Sequence, residues 1–380
     1  MSNNLITNVD ENSFTPLQSL KFLDLSDNKI RKAHIRLPNT LELMSMANNK
    51  LVTWPFANVP ENLQELEIQH NSLEIIFPKN SEVDSLRTLD VSYNLIDRLP
   101  NTRFLKLDTL DLGYNQLQSV PQNLNSMSPL LRTLVLDGNQ ITSVFFPERT
   151  SLESISLSYM PTLEVLEAKA LSNIAGTKIS REGTKCLDVY VSHNENLQDI
   201  DESALEGVNL CYLDLSYNNL TKVPQNLTDW DAVLEGFDLQ GNPWACECED
   251  QWMMKTILDK LMKEGEHQYL LLNLRCNTPE EMKDSKFVKF HERNEPLCGD
   301  ITEKKLARMV DRASFGITSL DANDNDKADV KLELAHGPGF FIIVGMCSLI
   351  LILMVVVGLK WQRDQDRKRA MRNRLYNYDY

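Results

Sequence analysis

Four of the seven cysteines lie close together, at Cys246, Cys248, Cys276 and Cys298. Cysteines at such short spacing either form disulfides or bind zinc through their thiolates. Only one residue separates Cys246 from Cys248, whereas the paired cysteines of zinc sites usually enclose about two to four residues. The number of cysteines outside the apolar run around Cys347 is even, which favours disulfides in an oxidising compartment, with a zinc site as the alternative.

No combination of residues typical of an enzyme is found. The sequence lacks the GxSxG, HExxH and P-loop motifs, and its six histidines have no spacing that would pair them with a nucleophile or a metal. We therefore expect no enzymatic activity, no cofactor and no bound metal. The net charge is −15, from 39 basic and 54 acidic residues. Because phosphate binding needs a basic surface, this balance argues against nucleic acid as the main partner.

A long uncharged run, GFFIIVGMCSLILILMVVVGL, occupies residues 339–359. At about 1.5 Å per residue, a helix of this run is about 30 Å long, enough to cross a bilayer core. The segment 360–380 that follows contains seven Lys and Arg against three Asp, so the positive-inside rule places it in the cytoplasm. We expect a single-pass type I protein of the plasma membrane, with its N-terminus extracellular and a basic tail on the anionic inner leaflet.

The first part of the chain, 1–242, repeats the pattern LxxLxLxxNxL. Good copies are LRTLDVSYNLI at 86–96, LDTLDLGYNQL at 107–117 and LCYLDLSYNNL at 210–220. The asparagine position recurs at nearly even spacing, for example at Asn28, Asn49, Asn71, Asn94, Asn115 and Asn139. The exception is the segment 160–194, here called the long interval, which begins at Met160 in place of an asparagine. We count eleven repeats, of which the first is incomplete. Since the N-terminus also shows no signal peptide, we expect the natural chain to begin further upstream.

These copies resemble the leucine-rich repeat family over roughly residues 1–298. The resemblance implies an α/β solenoid, a horseshoe whose short strands form one parallel sheet on the concave face. Within each strand the period of two points alternate residues into the core and the others outward. By the same resemblance, the repeated asparagine bonds the backbone inside each turn as part of an asparagine ladder.

Residues 243–298 resemble the cysteine-rich C-terminal flank of extracellular leucine-rich repeat proteins. The resemblance rests on NPWACECEDQWMMKTILDKLM, with its Asn-Pro step, its Cys-x-Cys and an aromatic-led helix that would cap the last repeat. It implies the disulfides Cys246–Cys276 and Cys248–Cys298, a choice that spacing alone does not make among three connectivities. The polar, charge-mixed segment 299–338 predicts a flexible extracellular stalk.

Two further cysteines, Cys186 and Cys211, occupy neighbouring repeats. Adjacent strands bring them close, but they hold neighbouring positions in the pattern, and neighbouring positions on a strand point to opposite sides. We therefore favour buried free thiols over a disulfide. Two N-glycosylation sequons begin at Asn219 and Asn226, both in the part predicted to be extracellular.

The concave face is the candidate binding surface. Carboxylates occupy many outward strand positions, and aromatic residues precede the repeated asparagines. Rigid rings supply contact area at little entropic cost, and carboxylates steer a ligand, although such strings are also frequent in this family whatever the ligand. The predicted ligand-binding residues are Glu67, Asp90, Tyr93, Asp111, Tyr114, Tyr190, Asp214 and Tyr217.

In overall plan the chain resembles cell-surface recognition and adhesion molecules of the Slit, Capricious and Tartan kind. The resemblance implies binding of an extracellular protein ligand, including one on an apposed cell, by the concave face. The alternative is a Toll-like immune or ligand receptor or co-receptor. Against this alternative, a Toll receptor carries a large cytoplasmic signalling domain, and only residues 360–380 follow the predicted membrane helix.

Overall fold

The computed structural model describes residues 1–77, 82–263, 270–271 and 273–293. They lie in one compact unit, Met1–Gly299. The predicted stalk at 299–338, the predicted membrane helix at 339–359 and the tail at 360–380 lie outside the described residues. Within the described ranges, no helix is long and apolar enough to cross a membrane.

Short strands dominate the described part of the chain. In chain order they are β1 (Phe22–Asp24), β2 (Leu43–Ser45), β3 (Glu65–Glu67), β4 (Glu82–Val83), β5 (Thr88–Asp90), β6 (Arg103–Phe104), β7 (Thr109–Asp111), β8 (Thr133–Val135), β9 (Thr150–Leu152), β10 (Ser154–Ser156), β11 (Val165–Leu166), β12 (Ile174–Gly176), β13 (Lys178–Ile179), β14 (Lys185–Tyr190), β15 (Asp199–Ile200), β16 (Leu210–Asp214), β17 (Gly236–Asp238), β18 (Trp244–Ala245) and β19 (Cys276–Thr278).

Helices are few and short in the part of the chain that the structure describes. The α-helices are α1 (Leu124–Met127), α2 (Leu258–Lys263), which continues a π-helical turn at Met253–Ile257, and α3 (Phe287–Arg293). Turns of 3-10 helix occur at Gln225–Leu227, Trp230–Ala232, Cys248–Asp250 and Glu280–Met282. The repeats therefore contribute strands and turns, and the longer helices belong to the segment after them.

One parallel sheet runs through the repeats in the order β1-β2-β3-β5-β7-β8-β10-β14-β16-β17, which confirms the predicted concave sheet. The register is set by the central leucines, since Leu89 of β5 pairs with Leu110 of β7 and both side chains are buried. The period of two then places Thr88 and Asp90, which flank Leu89, on the opposite side of the strand.

The asparagine ladder is present as predicted. The side chain of Asn94 accepts a hydrogen bond from the N–H of Leu73 at 2.9 Å and donates to the carbonyl of Ile68 at 3.1 Å. Asn115 makes the equivalent bonds one repeat later. Each amide is buried, so the ladder satisfies backbone groups that turn inside the solenoid, where water does not reach them.

The convex side corrects the α/β prediction. Across the described repeats it consists of turns, three pairs of short parallel strands (β4 with β6, β9 with β12, β11 with β15) and the short helix α1. The stretch from one ladder position to the next, such as 94–115, must hold the asparagine turn, a return path and a strand, which leaves too few residues for a stable helix. The repeats form a parallel-sheet β-solenoid.

The long interval contains β12 and β13, and the strand after them corrects the prediction of free thiols. Cys186 and Cys211 form a disulfide with a Cα–Cα distance of 5.1 Å. The register shifts there, because Leu187 pairs with Leu210 whereas the next residue, Asp188, pairs with Tyr212. Cys211 is thus the extra residue of a β-bulge. A bulge re-aims the side chains around it, so the simple alternation of sides does not apply.

The segment after the repeats closes the last hydrophobic layer. Cys246 and Cys276 form a disulfide, the pair that the resemblance implies, and it rules out a zinc site of four cysteines. Met253, Ile257 and Leu258 are buried in the same core as the leucines of the repeats. Cys298 lies outside the described residues, so its pairing with Cys248 stays a prediction.

Candidate binding surface on the concave face

Each strand of the main sheet presents to the concave side the two side chains that flank its central buried residue, such as Thr88 and Asp90 around Leu89. The predicted binding residues on strands all follow this central residue, such as Glu67 after Leu66 and Asp90 after Leu89. The structure adds the residues that precede the central one, among them Phe22, Glu65, Asp188 and Tyr212. The period of two in xxLxL predicts both, since residues on either side of a buried leucine share a face.

A row of aromatic rings borders the sheet, formed by His70, Tyr93, Tyr114, Tyr159, His193 and Tyr217. Each ring belongs to the residue before a ladder position, and each of these residues has a φ between 52° and 57°. Left-handed backbone is uncommon for bulky residues. Here it recurs at the same point of successive repeats, so the rings leave the turn in the same direction and meet.

The row is divided into two stacks. In the N-terminal stack, His70, Tyr93 and Tyr114 have centroid distances of 4.1 and 4.2 Å and interplanar angles of 16° and 9°. In the C-terminal stack, Tyr159, His193 and Tyr217 have centroid distances of 4.6 and 4.8 Å. Between the stacks, Tyr114 and Tyr159 are 6.3 Å apart and tilted by 38°.

Glycine ends each stack. Gly138 holds the ring position between Tyr114 and Tyr159, and a Cβ atom on it would lie 2.4 Å from Cδ1 of Tyr114. Gly241 holds the next ring position after Tyr217, and a Cβ atom on it would lie 2.5 Å from Cδ1 of Tyr217. The last ring of each stack therefore covers a glycine, and a side chain at either position would displace it.

Neighbouring rings cover one another's faces, so a ligand meets ring edges and hydroxyl groups. Tyr93 is 42% exposed and Tyr217 is 45% exposed. Burial, followed by the neighbouring Tyr93, raises the pKa of the Tyr114 phenol, which therefore stays protonated at neutral pH. The row offers hydroxyl donors and apolar edges, which are suited to contacts with a protein surface.

Several of the predicted carboxylates also have structural partners. Asp90 is only 8% exposed, and its Oδ1 accepts hydrogen bonds from the N–H and the hydroxyl of Ser92 at 2.9 and 2.7 Å. Asp214 binds Ser216 in the same way, and Asp111 accepts from the N–H of Gly113. These aspartates stabilise the turn that leads into the ring position, a role that the Asp-x-Ser pattern could have indicated.

The N-terminal half of the concave face keeps a line of carboxylates without cations. Glu67 pairs in register with Asp90, and Asp90 with Asp111. In the described part of the chain, none of the three forms an ion pair with Lys or Arg. Burial, and next the charge of Asp90, raises the pKa of Asp111 to about 7. Burial also raises the pKa of Glu67.

The C-terminal half differs, because the long interval supplies its own cation. Lys178 on β13 places its Nζ 2.7 Å from carboxylate oxygens of both Asp188 and Glu235. Tyr190 and Tyr212, on the adjacent strands β14 and β16, have ring centroids 5.7 Å apart. Lys178 therefore offsets part of the negative charge of this half, which also has the larger aromatic area.

Both glycosylation sequons are accessible. The side chains of Asn219 and Asn226 are exposed, and Asn226 lies in the 3-10 turn at Gln225–Leu227. Asn219 follows the buried ladder residue Asn218, and its N–H donates to the carbonyl of Leu197. Modification of either asparagine stays a prediction.

Comparison with known proteins is consistent with this architecture. Three family models for leucine-rich repeats match residues 17–32, 84–141 and 209–230. The chain is 26% identical to keratocan of Mus musculus over 255 residues, which cover 62% of this chain and 70% of keratocan. It is 32% identical to lumican of Homo sapiens over 149 residues, which cover 36% of this chain and 43% of lumican.

Among solved structures, the chain is similar to one chain of the octameric complex of Latrophilin 3, Unc5D and FLRT2, in which FLRT2 is represented by its leucine-rich repeats. The TM-score is 0.50 at 19% identity, and the match covers 76% of this chain and 86% of that chain. At this identity the likeness shows the fold alone.

Proposed function

We propose that this leucine-rich repeat protein binds an extracellular protein ligand through the concave face of its repeats, as a cell-surface recognition or adhesion molecule. The observation that carries the proposal is the N-terminal half of that face. There the exposed edges of the N-terminal stack lie on the same face as Glu65 and Glu67, whose carboxylates form no ion pair in the described part of the chain, and as the more deeply buried Asp90 and Asp111. Ring edges supply area that is already ordered before binding, and carboxylates accelerate association with a basic partner.

The hydrogen bonds within the turns show that these carboxylates have different roles. Asp90 is buried and held by Ser92, so we assign it mainly to the turn. Glu65 and Glu67, at the two concave positions of β3, are half-buried and are the groups best placed to meet a ligand. Burial raises the pKa of both carboxyl groups, and a cationic ligand group would lower it again by favouring the charged form.

A related architecture supports protein binding. The leucine-rich repeats of FLRT2 occur in a solved assembly with Latrophilin 3 and Unc5D, so a solenoid of this fold takes part in a complex of several proteins. We extend protein binding to this chain, without extending those partners to it.

We also propose that 339–359 spans the plasma membrane once, with 360–380 in the cytoplasm and the repeats outside. The support is the uncharged run and the basic residues that follow it. An epitope tag after Tyr380 should be detected only in permeabilised cells, when the chain is expressed with an export signal. Staining of intact cells would reverse the proposed orientation.

The ligand proposal is tested with the full chain displayed on cells and screened against cell-surface proteins, including itself. For a partner found in this way, Glu65→Gln with Glu67→Gln should slow association about tenfold and reduce its salt dependence, because steering acts on the association rate. Melting should not fall, since the substitutions remove two half-buried charges.

The matched control is Glu61→Gln with Glu202→Gln, which removes the same charge from exposed turns outside the sheet. This pair should leave association within about twofold. If the control slows association and the pair on β3 does not, the concave-face proposal is wrong.

A further inference from the structure

A cavity of about 360 Å³ opens on the side of the solenoid, outside the concave sheet. It lies where the chain returns toward the sheet in neighbouring repeats, and its lining includes Arg149, Asn173, Gly176, Lys185, Gly207 and Asn209. We propose that this side cavity binds a sulfate or phosphate group carried by a small polar molecule of about the size of a disaccharide.

The cavity exists because of the long interval. β12 pairs with β9, and β13 then turns back to pair antiparallel with the start of β14. At Gly176 the two segments approach so closely that a Cβ atom would lie 2.4 Å from the carbonyl carbon of Cys186. The Cys186–Cys211 disulfide fixes the strand behind this contact. The wall is therefore formed before any ligand binds, which lowers the entropic cost of binding.

The lining carries two cations and no carboxylate. Arg149 precedes β9 and Lys185 begins β14, so the two charges come from separate elements and face a common space. In the part of the chain that the structure describes, neither forms an ion pair. The nearby carboxylate of Glu206 is 3.7 Å from Nζ of Lys169 and so has its own partner.

These groups match an oxyanion. The planar guanidinium of Arg149 can donate two parallel hydrogen bonds to a sulfate or phosphate, Lys185 adds a second charge, and Asn209 adds an amide. Ligand pockets are typically about 300–1,000 Å³, so the volume fits a small molecule. The net charge of −15 disfavours nonspecific attraction of anions, so binding would have to come from this local arrangement.

The test uses the full chain and three probes: a monosulfated disaccharide, the same disaccharide without sulfate, and glucose 6-phosphate. Saturation-transfer NMR should show binding of the sulfated sugar, the sugar phosphate or both, and their relative affinity identifies which oxyanion is preferred. Binding of the uncharged disaccharide should be at least tenfold weaker. Failure of both charged probes to bind would overturn the proposal.

Three variants locate the site. Arg149→Gln with Lys185→Gln should weaken binding of the charged probe at least tenfold. Ala175→Leu narrows the cavity without changing charge and should also weaken it, with melting measured to verify folding. Arg31→Gln with Lys32→Gln removes the same charge from exposed residues elsewhere and should leave affinity unchanged.

Equal affinity of the parent and the Arg149/Lys185 variant, or an equal loss in the Arg31/Lys32 control, would contradict the assignment. Because the cavity shares no residue with the concave positions, this result is independent of the proposed protein ligand.

Discussion

The N-terminal and C-terminal halves of the solenoid have the same left-handed turn before the ladder position, but different interactions hold their repeats together. Between β3 and β8 the repeats follow one another at nearly even spacing, and the asparagine ladder and the stacked leucines connect them. Between β10 and β16 the long interval brings a bulge, a disulfide and the ion pairs of Lys178. Regular spacing lets each repeat rest on its neighbour, whereas an irregular repeat needs additional bonds to keep its strand in the sheet.

The spacing of the stacked aromatic rings also differs between the two halves. Centroid distances are 4.1 and 4.2 Å in the N-terminal stack and 4.6 and 4.8 Å in the C-terminal stack. The backbone at the ring position is nearly identical in both, so the wider spacing reflects the repeats beneath the rings. The regular half presents closely stacked rings beside carboxylates without an ion pair, and the irregular half presents a looser stack on a face where two carboxylates share Lys178.

The largest expected effect follows from removing the Cys186–Cys211 disulfide of the irregular half. Replacing Cys186 and Cys211 with alanine removes a cross-link over a sequence separation of 25 residues, and chain entropy predicts a loss of about 3 kcal/mol in the free energy of unfolding. Urea unfolding measures the loss. Amide hydrogen exchange should then show reduced protection in β14 and β16 but little change in β5 and β7.

Cys211→Ala alone should cost about as much as the double variant, because either substitution abolishes the bond. If protection falls equally in β5 and β7, the two halves are a single cooperative unit, and the contrast between them does not extend to stability.

The next effect concerns the glycine that separates the stacks. Gly138→Ala should destabilise the protein by about 2 kcal/mol, because its φ of +65° disfavours a side chain and the new Cβ atom would meet the Tyr114 ring. Thermal melting measures the loss, and the fluorescence of the tyrosines reports the displaced ring.

Gly207→Ala is the matched control. Gly207 also has a positive φ, +76°, but its Cβ position has nothing within 4 Å, so the cost should be about 1 kcal/mol. If both substitutions lower the free energy of unfolding equally, backbone strain accounts for both losses. The contact with the Tyr114 ring then contributes nothing measurable.

Much of the regular half could be predicted from the sequence, because its determinants are local. The strings LDVSYN at 89–94 and LDLGYN at 110–115 specify the strand, its buried aliphatic residues and the ladder asparagine, and the structure has all three at the predicted places. The stacking of the rings could not be predicted in this way. It depends on a left-handed backbone at Tyr93 and Tyr114, a conformation that bulky residues seldom adopt and that no single residue type indicates.

The bulge, the disulfide and the ion pair of the irregular half could not be predicted, for a different reason. The long interval is visible in the sequence, but the position of the bulge within β16 is decided by pairing with β14. Without that register, Cys186 and Cys211 are expected on opposite sides. Likewise, Lys178 and Glu235 are 57 residues apart in the sequence, so their ion pair could not be predicted from local patterns.

The third prediction concerns charge in the regular half. Burial raises the pKa of Asp111 to about 7 in the folded protein, above its value of 3.8 in an unfolded chain. Between these values the folded state retains a proton that the unfolded state has lost, so stability falls as pH rises from about 4 to about 7. Asp111→Asn should therefore raise melting at pH 8 by about 2 °C, and by less at pH 4.

Asp84→Asn, at an exposed residue of the same half, should shift melting equally and only slightly at both pH values. A lower melting temperature for Asp111→Asn at pH 8 would show that the bond to the N–H of Gly113 needs a charged acceptor and outweighs the cost of the buried charge.

The smallest expected effect tests whether the ring row is two stacks or one. Tyr93 and Tyr114 are 4.2 Å apart and nearly parallel, so a double-mutant cycle with leucine at both positions should give a coupling of about 1 kcal/mol. Tyr114 and Tyr159 are neighbours in the row but are 6.3 Å apart across Gly138, and their coupling should be close to zero. Urea unfolding of the single and double variants measures both coupling energies, and the two cycles share the Tyr114→Leu single variant. Similar couplings would mean that the tilted pair interacts as strongly as the stacked pair, and the glycine would then bend a continuous row without dividing it.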